Sequence, residues 1–122
     1  MDTRRKILTL DQALRLKPPV AIASGTFEIL RAEHARELES LRARVPGAAL
    51  LVAVLDVPGV PIGAPIRAEM AAALRVVDYV VIAESEELAR LIDSLDPVAV
   101  ARLEAADQAR WKALKEHVRR QN

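Results

Sequence analysis

Within ten residues, Gly25-Thr26-Phe27-Glu28-Ile29-Leu30-Arg31-Ala32-Glu33-His34 gathers a small-residue turn, an imidazole, a guanidinium and two carboxylates. It follows the apolar run Val20-Ala21-Ile22-Ala23 and opens an amphipathic stretch, so it reads as a strand-to-helix turn. The N-terminus of a helix offers unpaired N–H groups and the positive end of the dipole, which together suit an anion such as phosphate. His34, in the first helical turn, could donate to a phosphate oxygen or to charge developing on a bridging oxygen. A first-turn histidine bonded to nearby backbone is the alternative. Arg31 is permanently cationic and forks onto phosphate better than imidazole does, but it is a poor proton donor. A solvated arginine at a loop end fits its position equally well. Glu33 works against an anion by charge and bulk, and its simpler role is to complement the helix dipole. Glu28 could orient the loop or a magnesium-bound phosphate, or brace the loop as a surface carboxylate. Thr26 and Phe27 shape the turn and plug the core.

The rest of the composition narrows the chemistry. With 122 residues, 52% of them apolar, the chain suits a single domain, 1–122, with one continuous core. Eighteen basic against 17 acidic side chains leave a formal charge of +1, so no global field attracts nucleic acid or an anionic membrane. Phe27, Tyr79 and Trp111 are the only aromatics, too few for base-stacking platforms. The absence of cysteine removes disulfides, thiolate metal sites and cysteine nucleophiles, and suits a cytoplasmic protein. The basic start, Met1 to Lys6, lacks the apolar segment of a signal peptide, and no apolar run approaches membrane-spanning length. His34 and His117 have no ligand-like spacing, so no metal site is expected; GxSxG, Walker A and GxGxxG patterns are missing.

The elements that must position the turn are legible from periodicity. Thr9-Leu10-Asp11-Gln12 predicts a capping box opening a helix to about Leu16, ended by Pro18-Pro19. Val20–Ala23, Ala49–Leu55 and Tyr79–Ile82 predict buried parallel strands, with Val98–Val100 as a short fourth. Helices are expected over about Ala32–Ala43, Arg67–Arg75 and Glu86–Leu95, and from about Glu104 onward. Val57 to Pro65, broken by prolines and glycines, is expected to be a loop at a site rim. This alternation specifies an α/β fold, a Rossmann-like open and mainly parallel sheet with helices on both faces. Ligands in such folds bind beyond the carboxyl ends of the strands at the topological switch point, where the segment Ser24 to His34 is expected.

The turn resembles the GxFDxxHxGH signature of the cytidylyltransferase-like nucleotidyltransferases. Here the second histidine is retained as His34, whereas Arg31, Glu33 and Glu28 stand at the first histidine, the glycine and the aspartate. Leu8 to Leu14, Val52 to Asp56 and Arg67 to Val81 are similar to further blocks of the adenylyltransferase half of heptose-phosphate enzymes. The resemblance covers roughly Leu8 to Pro97 and implies the nucleotidylyl transferase fold. It further implies His34 as the catalytic residue and Gly25, Thr26, Phe27, Glu28, Arg31, Asp56, Arg67 and Lys112 as substrate or nucleotide contacts. The implied ligands are a nucleoside triphosphate with magnesium and a phosphorylated small molecule. Two departures extend beyond the turn. Val57 to Ile66 contains no lysine, and the hydroxyl-rich turn of the family's last helix, placed near Arg110 to Leu114, has neither Ser nor Thr. The expectation is a nucleotidyltransferase-like protein with an eroded site and weak or no transfer. An active enzyme moving AMP or CMP to a phosphorylated acceptor, and a non-catalytic interaction subunit such as a homodimer, are the alternatives.

Overall fold

A computed structural model describes residues 2–27 and 32–104. Five strands, β1 (Ile7–Leu8), β2 (Val20–Gly25), β3 (Ala49–Leu55), β4 (Tyr79–Ala83) and β5 (Ala99–Arg102), form one sheet in the order β1-β4-β3-β2-β5. Every pairing is parallel. Four helices, α1 (Leu10–Leu14), α2 (Ala32–Arg44), α3 (Ala64–Ala72) and α4 (Ser85–Leu95), cover it.

Side chains alternate across a strand, and here each parity meets its own helices. Ala21, Ala23, Leu50, Val52, Val54 and Val80 pack with Leu38 and Leu41 of α2 and with Ala68, Ala71 and Ala72 of α3. Val20, Ile22, Leu51, Ala53, Leu55 and Val81 pack with Ala13 of α1 and with Leu88, Leu91 and Leu95 of α4. This is why the central strands read as unbroken apolar runs: both faces are buried. Each fully buried leucine contributes about 1.5–3 kcal/mol from water exclusion.

The capping box at Thr9 forms as predicted, with Gln12 N donating to Thr9 Oγ1 and Thr9 N to Gln12 Oε1. A second, carried by Glu84 and Glu87, opens α4. Several boundaries differ from those the sequence predicts: α1 ends at Leu14, β5 spans Ala99–Arg102 in place of Val98–Val100, and the largest shifts are in β2 and α3. β2 runs on through Ser24 and Gly25, because parallel partners exist for both on β3. α3 begins at Ala64 rather than Arg67, since Pro65 sits in its first turn, where a missing N–H costs nothing. It ends at Ala72, so Leu74 lies beyond it, half-buried. β1 and the 3-10 turn before it, Thr3–Lys6, are additions: two residues are too few for a periodic signal.

At the amino end of the sheet, Asp78 ties β3 to the approach of β4. Its Oδ2 accepts from Leu50 N at 2.8 Å and from Arg42 Nη1, while Asp78 N donates to Leu50 O at 3.1 Å. The arginine and aspartate side chains are 43% and 32% exposed, so water screens their attraction, and the backbone bond carries more of the stability. Asp78→Ala is therefore expected to lower unfolding free energy by about 1–3 kcal/mol and Arg42→Ala by less than about 1 kcal/mol, measured by urea denaturation.

Candidate functional site

The chain steps from β2 to β3 to β4 in one direction, then returns to place β5 on the other side of β2. α2, following β2, lies on one face; α4, leading to β5, lies on the other. The carboxyl ends of β2 and β5 therefore flank the switch point, and Gly25 ends β2 there.

The turn is built by folding Phe27 back over Gly25. A Cβ on Gly25 would meet the Phe27 ring at 3.0 Å, so a larger residue there would oblige the ring to give by a few tenths of an ångström. Phe27 has φ 51°, a left-handed conformation rare for so bulky a residue and costing about 1–2 kcal/mol. Burial of its ring offsets that cost: Phe27 is 1% exposed and joins the core under α2 and α3. The His34 ring stands edge-on to it, with centroids 5.6 Å apart and planes at 64°. His34 is 3% exposed, so its imidazole lies inside the first turn of α2 rather than on its surface. Glu33, next to it, is exposed.

Arg67 holds this turn from the opposite side. Nη1 donates to Thr26 O at 2.6 Å and to Leu55 O at 2.9 Å, and Nε donates to Ile62 O at 2.8 Å. One guanidinium thus joins the end of β2, the end of β3 and the loop before α3. At 1% exposure it is a buried cation bonded to main-chain carbonyls, with no carboxylate partner among the described residues. Planarity makes this possible, because fixed divergent N–H groups can serve three oxygens at once. Its place inside α3, rather than at a helix start, turns the side chain into the core.

Asp56 lies just past β3 with its side chain exposed, and its N–H donates to Ala83 O at 2.9 Å, fixing the exit of β3 beside β4. Thr26 is half-buried. The structure thus brings Gly25, Thr26, Phe27, His34 and Arg67 into one assembly, with Asp56 on the neighbouring strand end. Glu28, Arg31 and Lys112 lie outside the described residues.

Two residues that sequence reasoning passed over meet at the switch point. Ser24 is fully buried in β2, and its hydroxyl lies 2.8 and 3.0 Å from the two carboxylate oxygens of Glu104. β5 ends at Arg102 and the chain is already helical at Leu103 and Glu104. A hydroxyl inside an otherwise apolar strand was the available signal for Ser24. Nothing local marks Glu104.

Two hollows, of about 530 and 420 Å³, open at the other end of the sheet, around Asp78 and Tyr79. Two of the cations lining them are engaged, Arg42 with Asp78 and Val76 O and Lys6 with Leu74 O, and Arg5 lines the smaller hollow beside Lys6. They lack the strand-end location that positions ligands in this architecture.

Fold and site define an open, all-parallel α/β protein of Rossmann-like type, with a glycine turn and a helix N-terminus at its switch point. No protein-family model matches this chain, and no curated protein matches its sequence. The geometry sets two expectations. Gly25→Ala should destabilise the protein by about 1–3 kcal/mol through the Phe27 clash. Arg67→Lys should cost about 2 kcal/mol or more, because one ammonium cannot span three separated carbonyls, and Arg67→Met should cost more still. Guanidinium chloride midpoints measured side by side check the ordering.

Proposed function

We propose that this chain is a nucleotidyltransferase-like protein, of the heptose-phosphate adenylyltransferase type, whose site is eroded: it retains weak nucleotide or phosphate binding and has little or no transfer activity. Nucleotidyl transfer is a matter of positioning and charge stabilisation around an in-line displacement at phosphorus. A proton donor for it must come within about 3 Å of a phosphate oxygen. The observation carrying the reading is the placement of His34. It stands at the switch point, as a phosphate-handling histidine would, yet it is 3% exposed and packed edge-on against Phe27. A buried imidazole still shapes the turn but reaches a ligand poorly.

The anion-binding equipment that persists is the backbone at the start of α2, with Arg67 bonded to the Thr26 carbonyl beyond the end of β2. Arg31 supplies a cation to that turn in this reading, and Asp56 is set for ribose or acceptor contact. Among the described residues no group of three or more His, Asp or Glu could hold a metal ion by itself. In this reading magnesium would arrive on the triphosphate, and Glu28 is the motif carboxylate that the resemblance assigns to it. Its contribution there is charge neutralisation on the phosphates. No helix among the described residues is long and apolar enough to cross a membrane.

Calorimetry with MgATP and MgCTP is expected to give dissociation constants of about 1 mM or weaker. Pyrophosphate release in the presence of a sugar 1-phosphate is expected to stay at background. Rapid release that disappears in His34→Asn would overturn the eroded-site reading in favour of a working enzyme. Silence toward every common nucleotide would remove the binding half and leave a non-catalytic interaction subunit.

A further inference from the structure

We infer that the smaller hollow at the amino end of the sheet binds a small phosphate monoester, held by Arg5 and Lys6 beside Tyr79. The site lies at the opposite end of the strands from the switch point and does not depend on the reading of that turn.

Local structure assembles it. Thr3-Arg4-Arg5-Lys6 folds as a 3-10 turn capped by Asp2, and three residues per turn put Thr3 and Lys6 on the same side. β1 follows at once. Its parallel register, Ile7 beside Val80 and Leu8 beside Val81, sets the turn next to the entry of β4. Asp2, Thr3, Arg5, Lys6, Asp78 and Tyr79 then line a hollow of about 420 Å³. Small-molecule sites run from about 300 to 1,000 Å³, so the space suits a metabolite rather than a single ion.

Charge gives the ligand its sign. Both carboxylates in the lining are matched by arginines outside it: Arg4 Nε lies 3.2 Å from Asp2 Oδ1, and Arg42 pairs with Asp78. The two lining cations are left in excess. Lys6 Nζ donates to Leu74 O at 3.1 Å, which fixes the ammonium and uses one of its three protons. The Arg5 side chain has no hydrogen bond or ion pair among the described residues, and its guanidinium carries five donors. The Tyr79 hydroxyl likewise has no partner among the described residues.

Two positive charges from adjacent residues, converging on one hollow with the hydroxyls of Thr3 and Tyr79, call for a compact dianion with several acceptors. A phosphate monoester carries a charge of about −1.5 to −2 at neutral pH and three strong acceptor oxygens. A dicarboxylate divides the same charge between two ends. Tyr79, half-buried against the apolar core, supplies a wall for the carbon chain of the ester.

The test titrates the protein with inorganic phosphate, glycerol 3-phosphate and succinate, following backbone amide signals by two-dimensional NMR. Saturable shifts are expected at Thr3–Lys6 and at residues 78 and 79, with a dissociation constant of about 1 mM for glycerol 3-phosphate and weaker binding of succinate. Arg5→Gln loses no side-chain bond of the free protein, so its thermal midpoint should match wild type while affinity falls about tenfold. Lys6→Gln, checked for folding by its spectrum, should weaken binding similarly. Shifts confined to residues 24–26, undiminished affinity in Arg5→Gln, or succinate binding as tightly as the phosphates would each overturn the site. Shifts at residues 24–26 would at the same time favour phosphate binding at the switch point, so the two readings fail separately.

Discussion

The guanidinium of Arg67 meets three carbonyl oxygens from three chain segments, two of them at the ends of neighbouring strands. Thr26 follows β2, Leu55 ends β3, and Ile62 precedes α3. At the carboxyl edge of a parallel sheet, the last carbonyls of each strand have no further strand residue to pair with, and burying them unpaired is costly. A single planar cation resolves that demand, and its own desolvation is tolerable because every bond it makes is charge-assisted. The small side chains of Ala68, Ala71 and Ala72 allow α3 to lie close enough for the guanidinium to reach in. The left-handed Phe27, whose ring covers Gly25 and meets His34, directly follows the carbonyl at Thr26.

The two faces of the sheet divide the work at β2. Phe27 and His34 belong to the side covered by α2 and α3, where their rings complete the apolar core. Ser24 has the parity of Val20 and Ile22 and so faces the side of α1 and α4. One strand end therefore presents an aromatic pair on one side and a hydroxyl bonded to a carboxylate on the other. The inward placement of the imidazole is what the proposed eroded site rests on.

Much of the fold was legible because its causes are local or periodic. Ala49–Leu55 was read with the bounds it has, since an apolar run of that length between Gly47 and Asp56 has few other uses. The Thr9 capping box needs only residues three apart in the chain. α3 was misplaced by three residues because Pro65 is a breaker inside a helix and a good starter in its first turn, and composition does not say which. β1 is a strand only because β4 offers it an edge.

Of the candidate site, residue types and order were in the sequence: the turn Gly25 to Phe27, the His34 that follows it, and Arg67 further on. Their arrangement was not. That Gly25 is held by a ring contact, that His34 turns into the core and that Arg67 clamps three carbonyls depend on distances between segments far apart in the chain. The Ser24 contact with Glu104 spans 80 positions and exists only because β5 returns beside β2. By itself the sequence determined the elements, their alternation and hence a parallel α/β sheet, since propensity, capping and periodicity act over a few residues. Only the tertiary structure decided which polar groups face one another at the switch point, because burial and hydrogen bonding there are settled by strand order rather than by neighbours in the chain.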